Sequence, residues 1–176
     1  MEYKAHIAGQ EEMERMLNRI AYEIIENNNG LKDLAIIGIQ RRGAVLARRV
    51  AANLKAHEGV EVPVGILDIT LYRDDLSLLS VHPVINGTDI AFSINDKKLV
   101  IVDDVLYTGR TVRAAIEALM DMGRPQRIQL AVLVDRGHRE LPISADYIGK
   151  KIPTSKNEIV HVCVSEFDNA EKIIIT

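Results

Sequence analysis

The sequence predicts an α/β fold, a mainly parallel twisted sheet flanked by helices, and three observations lead there. Short continuous apolar runs at 34–39, 99–102 and 128–134 read as strands covered on both faces. Stretches with apolar residues at helical spacing alternate with them. Three strand ends then turn abruptly polar: Gln40-Arg41-Arg42-Gly43, Asp103-Asp104, and Asp135-Arg136-Gly137-His138-Arg139. Open α/β sheets bind their ligands at such carboxyl ends.

The elements follow in order. Met13, Met16, Leu17, Ile20, Ala21 and Ile24 mark an amphipathic helix that ends at Asn27-Asn28-Asn29-Gly30. After the 34–39 strand, Ala44, Ala47, Val50, Ala51 and Leu54 mark a second helix, with Arg48, Arg49 and Lys55 off its apolar stripe. Residues 62–72 are β-rich (Val62, Val64, Ile66, Ile69, Thr70, Tyr72) and lead into Arg73-Asp74-Asp75. That polar stretch, with Pro83, Asn86 and Gly87, predicts a long excursion before a strand near 90–94. The 99–102 strand runs into Asp103-Asp104, and Val112, Ala115, Ile116 and Leu119 form the apolar face of the next helix. Gly123 stands where a C-terminal cap belongs, and Pro125 stops continuation. A further buried strand is expected at 128–134, ending at Asp135, and residues 159–164 and 172–175 supply two late strands. No repeat, low-complexity tract or linker divides the chain, so residues 1–176 read as one domain.

Composition bounds the function. A chain of 176 residues with 47% apolar and 27% charged residues can bury an adequate core unaided. No apolar run approaches the roughly 20 residues of a membrane helix. The start at Met1 lacks the basic and apolar regions of a signal peptide. A single cysteine, Cys163, excludes an internal disulfide framework. A cytoplasmic protein is expected, with no membrane partner. Net charge is −3, so the molecule is no general polyanion binder. Charge is nonetheless uneven: from Arg41 to Lys55 there are five basic residues and no acidic ones, which suggests a local anion site on an acidic body.

The middle strand end carries the most chemistry. Two carboxylates are followed by Val105-Leu106-Tyr107 and then Thr108-Gly109-Arg110-Thr111, which opens a helix. Hydroxyls, a glycine that permits close backbone approach and free N–H groups at a helix start make a phosphate cradle. It is not the nucleotide P-loop, which needs a lysine before its Ser/Thr and a longer glycine spacing. Adjacent carboxylates beside such a cradle suit the vicinal hydroxyls of a sugar phosphate. His161 and Cys163 share a strand face, but two ligands are too few for zinc. His6, His57 and His82 stand beside no second ligand.

Residues 100–111, Val-Ile-Val-Asp-Asp-Val-Leu-Tyr-Thr-Gly-Arg-Thr, resemble the phosphoribosyl-pyrophosphate (PRPP) motif of the type I phosphoribosyltransferases. Residues 68–76 (Asp-Ile-Thr-Leu-Tyr-Arg-Asp-Asp-Leu), 134–143 (Val-Asp-Arg-Gly-His-Arg-Glu-Leu-Pro-Ile) and 152–155 (Ile-Pro-Thr-Ser) narrow the resemblance. They are similar to the pyrimidine-operon regulators of that superfamily, which are also uracil phosphoribosyltransferases. The resemblance extends from the first helix to about residue 165. It implies a type I phosphoribosyltransferase fold with a small hood and a flexible loop. It implies that Asp103 and Asp104 hold the ribose hydroxyls, that Thr108, Gly109, Arg110 and Thr111 hold the 5′-phosphate beside Val105, Leu106 and Tyr107, and that Arg41, Arg42 and Gly43 form the pyrophosphate loop. Arg73 falls on the loop that closes over PRPP, at 71–76, and Arg136 and Val160 on the hood that receives the base. Mg2+ arrives with the substrate, with no protein cage of its own. The implied reaction is uracil plus PRPP giving UMP and pyrophosphate, in a homodimer or higher assembly.

The same resemblance implies UMP-dependent binding of a pyrimidine-operon leader mRNA. Arg15, Arg19, Arg139, Lys150 and Lys151 are the candidate RNA contacts. Asn18, Tyr22 and Asn27 occupy first-helix positions where polar or basic contacts are expected, and Ser144 stands where related chains tend to carry arginine. Losing even two cations weakens RNA binding tenfold or more. Three alternatives follow: a salvage enzyme with weak or lost RNA binding, a nucleotide sensor with little turnover, and a purine phosphoribosyltransferase, against which the Arg136 block argues.

Overall fold

A computed structural model describes residues 3–75 and 87–176. Met1, Leu76, His82, Pro83 and Asn86, which entered the sequence reading, lie outside the described residues.

The chain begins with β1 (Ala5–Gly9), a strand the sequence did not announce, and enters α1 (Gln10–Asn28). The Gly9 N–H donates to the Glu12 carboxylate at 3.1 Å, satisfying one of the free groups at the helix start. Met13, Leu17, Ile20, Ala21 and Ile24 are buried, as their spacing predicts. Asn29 ends the helix in the left-handed region at φ 52°.

All six residues of β2 (Leu34–Ile39) are buried. The strand pairs in parallel with β3 (Val64–Leu67) on one side and β4 (Lys98–Leu106) on the other. β5 (Arg127–Asp135) and β6 (Tyr147–Lys151) extend the sheet to the order β3-β2-β4-β5-β6, all parallel. The helix α2 (Arg42–Glu58) lies on one face with α1, and α3 (Arg110–Met122) on the other. Side chains alternate across the sheet. Ile36, Val100 and Leu133 therefore join the core under α1 and α2, while Ile37, Ile101 and Val132 join the core under α3. Each such residue stabilises the fold by roughly 1.5–3 kcal/mol through burial.

A second, antiparallel sheet in the order β1-β8-β7 joins β7 (Val160–Cys163) and β8 (Lys172–Ile175) to the first strand. Between β7 and β8 sits the single turn α4 (Ser165–Asp168). This sheet is the hood.

Three expectations need correction. Of the β-rich residues 62–72 only Val64–Leu67 form a strand. The Asp68 carboxylate accepts the Thr70 N–H at 2.9 Å and turns the chain into a 3-10 segment at Thr70–Tyr72. No strand forms at 90–94: Asp89 alone bridges to Ile66, and Ile90, Phe92 and Ile94 supply apolar packing without a ladder. β4 does not stop before its carboxylates but continues to Leu106, so Asp103 and Asp104 sit inside the strand. Gly123 caps the C-terminus of α3 where the sequence places it, but in an extended rather than a left-handed conformation. Its need for glycine is steric, because a Cβ there would lie 2.6 Å from the Asn95 side-chain oxygen.

The α1 end is tied to the sheet by a buried polar cluster. Asn28 and Gln129 exchange two amide hydrogen bonds of 3.0 Å, and the Tyr147 hydroxyl donates to the Gln129 side-chain oxygen. Burial of these groups is tolerated because they satisfy one another.

Candidate active site

The site lies where β2, β3 and β4 end. Gly43 brings its first two walls together. A Cβ at Gly43 would stand 2.6 Å from the Val102 carbonyl oxygen and 3.2 Å from Asp103 Cα, so only glycine lets the start of α2 touch the strand that carries the carboxylates. The Gln40–Arg41 peptide bond just before it is cis. The resulting cleft, about 400 Å3, is lined by Arg41, Asp68, Arg73, Asp103, Asp104 and Thr111 among others.

Asp103 is buried on the cleft floor. Its carboxylate accepts the Asp104 N–H at 2.9 Å, and the Asp104 carboxylate accepts the Val105 N–H at 2.8 Å. Burial, and then the neighbouring Asp104 charge, raise the Asp103 carboxyl well above the usual carboxylate range. A carboxylate pair of this kind is poised for a ligand that brings hydroxyl donors or positive charge.

Opposite the pair, Gly109 at φ 94° turns the chain into α3. Thr108 Oγ1 accepts the Arg110 N–H, and the Thr108 carbonyl accepts the Glu140 and Leu141 N–H groups. The cradle is thereby fastened to residues 140–141. The Arg110 guanidinium faces away from the cradle and pairs with Glu140 at 2.7 Å and with Asp74. Arg73 reaches the cleft wall, where its guanidinium is held by Asp75.

Arg41 and Arg42 part company. The Arg41 guanidinium lies over the Phe167 ring, 5.8 Å from its centroid, and lines the central cleft. Arg42 points toward the hood and forms a two-pronged pair with Asp168, Nη2 to Oδ1 at 2.6 Å and Nε to Oδ2 at 3.3 Å. That pair raises the Arg42 pKa and lowers that of Asp168. Without a ligand the two arginines thus point to different partners, Arg41 to the central cleft and Arg42 to a hood carboxylate.

A second cleft of about 380 Å3 opens on the hood side, lined by Arg42, Val160, His161, Cys163 and Asp168 among others. Asp104 lines both clefts and stands between them. Val160 is a buried hood residue at its edge. The Arg136 guanidinium stacks 4.0 Å from the centre of the Tyr107 ring and donates to the Ser155 carbonyl at 2.9 Å. Its Nε is buried and has no partner among the described residues.

The basic residues expected to face RNA differ in their freedom. Arg15 is exposed and, among the described residues, pairs only with Glu11. Arg19 pairs with Glu23 and also donates to the Ile148 and Gly149 carbonyls. Lys150 donates to the Ile7 carbonyl, whereas Lys151 is exposed. Arg139 is no free cation: it binds the Asp135 carboxylate and the Tyr107 and Ile143 carbonyls, holding the 135–143 loop in shape. Sequence reasoning passed over Phe167 and Asp168. They lie in a segment with no motif, and only folding brings them to residues 126 positions earlier.

The chain belongs to the phosphoribosyl transferase domain family, which it matches over residues 5–166. Its relatives within that family are the bifunctional PyrR proteins. It is 64% identical over 175 residues to that of Caldicellulosiruptor bescii, covering 99% of this chain and 96% of the relative. Identity is 62% over 173 residues with that of Acetivibrio thermocellus, covering 98% and 94%. With that of Thermus thermophilus it is 56%, covering 98% and 96%. Solved hypoxanthine phosphoribosyltransferases share the fold. The one from Staphylococcus aureus superimposes with a TM-score of 0.75 at 22% identity, covering 98% of this chain and 92% of that one. One from Trypanosoma cruzi gives 0.77 at 21%, covering 98% and 95%. No helix among the described residues is long and apolar enough to cross a membrane.

Proposed function

We propose that this phosphoribosyltransferase joins uracil to PRPP, giving UMP and pyrophosphate, and that it binds a pyrimidine-operon leader mRNA in response to UMP. The observation that carries the catalytic part is that the Asp103–Asp104 pair and Thr111, in the first turn of α3, line one cleft. In this reading the ribose hydroxyls donate to the two carboxylates. The 5′-phosphate accepts N–H groups from the cradle at 108–111. The bond from ribose C1 to pyrophosphate oxygen breaks, the bond from uracil N1 to C1 forms, and the N1 proton leaves to solvent. Arg41 and Arg73 face the side where negative charge grows on the departing pyrophosphate. The stacked Arg136–Tyr107 pair borders the base, with Val160 behind it.

The carboxylate pair fits Mg2+, a hard cation that favours oxygen donors, and with PRPP bound it would neutralise pyrophosphate charge. Asp103 and Asp104 are the residues that would share it with the substrate. The likeness to PyrR proteins supports the uracil and RNA parts, and it supports a homodimer or larger assembly.

Asp104→Asn is expected to cut UMP formation at least a hundredfold while circular dichroism and melting stay near those of the parent. Near-normal turnover would refute the role given to the carboxylates. The regulatory part is tested by titrating the protein against its leader RNA with and without UMP across a salt series. Tighter binding with UMP supports the dual role. A second reading, a salvage enzyme with little RNA affinity, is favoured by the internal pairing of Arg19 and Arg139, and absence of UMP-dependent binding at low salt would select it.

A further inference from the structure

The basic run from Arg41 to Lys55 is largely neutralised within the fold. Arg42 is taken by Asp168, Arg49 by Glu166 and Glu171, and Lys55 by Glu61. Two members remain. Arg41 and Arg48 are exposed and have no ion pair among the described residues. Arg41 caps the start of α2 and Arg48 follows seven positions on, about two turns or 10 Å along the helix axis. Between them lies a pocket of about 250 Å3 with an apolar floor of Ala44, Val45 and Ile66, and the Phe167 ring forms its rim. Phe167 is 49% exposed, a large apolar surface left open to water. Arg41 belongs to this pocket and to the central cleft alike.

We infer that this pocket is a second anion site, distinct from the central cleft, and that it takes a nucleoside di- or triphosphate. Two guanidiniums spaced along a helix suit a chain of linked phosphates better than a single one. The exposed aromatic ring and apolar floor suit a stacked planar base. RNA fits less well, because Arg49, the next residue after Arg48, is already taken by Glu166 and Glu171, which leaves no continuous basic track for a backbone. An occupant would also draw Arg41 away from the central cleft. On the reading of that cleft given above, nucleotide binding should therefore weaken PRPP binding.

The test is calorimetric titration of the full chain with ATP, GTP and inorganic tripolyphosphate, on the parent and on Arg48→Ala and Phe167→Ala. Neither altered residue lines the central cleft. Saturable binding of at least one nucleotide and of tripolyphosphate is expected, and Arg48→Ala should weaken each at least tenfold. Phe167→Ala should weaken the nucleotide and leave tripolyphosphate unchanged. In turnover assays the nucleotide should raise the KM for PRPP severalfold in the parent and not in Arg48→Ala, whose KM without nucleotide is that of the parent. Absence of saturable binding, or binding indifferent to Arg48→Ala, overturns the site. Should turnover be absent altogether, the titrations still decide the question, since they do not depend on PRPP chemistry.

Discussion

Asp103 and Asp104 are neighbours in β4, yet the fold gives them different surroundings. Asp103 is sealed on the cleft floor, while Asp104 stands between two clefts. Because the Asp103 carboxyl is raised in the folded state, the native chain holds that proton to higher pH than the unfolded chain does. Stability is therefore lost as pH rises from the ordinary carboxylate range through the folded value, and the penalty is complete above it. Asp103→Asn should remove that penalty. Thermal melts should show a higher Tm than the parent at pH 8, with little difference near pH 4. The same substitution should depress turnover. The two carboxylates were legible in the sequence because their chemistry is local. The parting of Arg41 and Arg42 was not, because their side chains are identical and the deciding carboxylate, Asp168, arrives 126 residues later.

At the scale of elements, the hood is fastened to α2 by Arg49, which pairs with Glu171 at 2.6 Å and Glu166 at 2.8 Å. The Arg49 guanidinium holds the Glu171 carboxyl down at about 2, below its ordinary 4.5. A depressed carboxylate contributes stability that is present above pH 4.5 and is lost as pH falls toward 2. Glu171→Gln should cost about 2 kcal/mol at pH 7, after allowance for solvent screening. In denaturant titrations the gap to the parent should close as pH approaches 2. The long apolar strands and the three longer helices were readable because each carries several turns or a continuous buried run. β1 and β6 were not. β6 holds Gly149, Lys150 and Lys151, and its glycine answers to a contact outside the strand, since a Cβ there would meet the Leu133 carbonyl oxygen.

For the whole molecule, the two clefts and the pocket beyond Arg41 are separate cavities that share lining residues: Asp104 lines both clefts, and Gln40 and Arg41 line both the central cleft and the pocket. Residues once read as an external basic face also serve this interior. Arg139→Ala should lower Tm by several degrees and disturb turnover, because it frees a half-buried Asp135 and the 135–143 loop. Lys151→Ala should leave both unchanged and, if it meets a phosphate of bound RNA, reduce the salt slope by about one. Equal effects of the two changes on Tm would contradict this division. The fold class was plain in the sequence because the parallel sheet declares itself through buried runs. The hood was plain only through family resemblance, since its strands are short and come from opposite ends of the chain.

That last arrangement bears on how the protein is made. β1 is made long before β8, its strand partner among the described residues, whose Ile175 pairs with Ala5. The central sheet can assemble from segments close in sequence, whereas the hood must close a loop spanning nearly the whole chain. At ordinary rates of synthesis β1 waits roughly ten to thirty seconds for that partner. A nascent chain can thus complete the carboxylate strand and its cradle before the roof above them exists, and the second cleft comes into being only once β8 has been made.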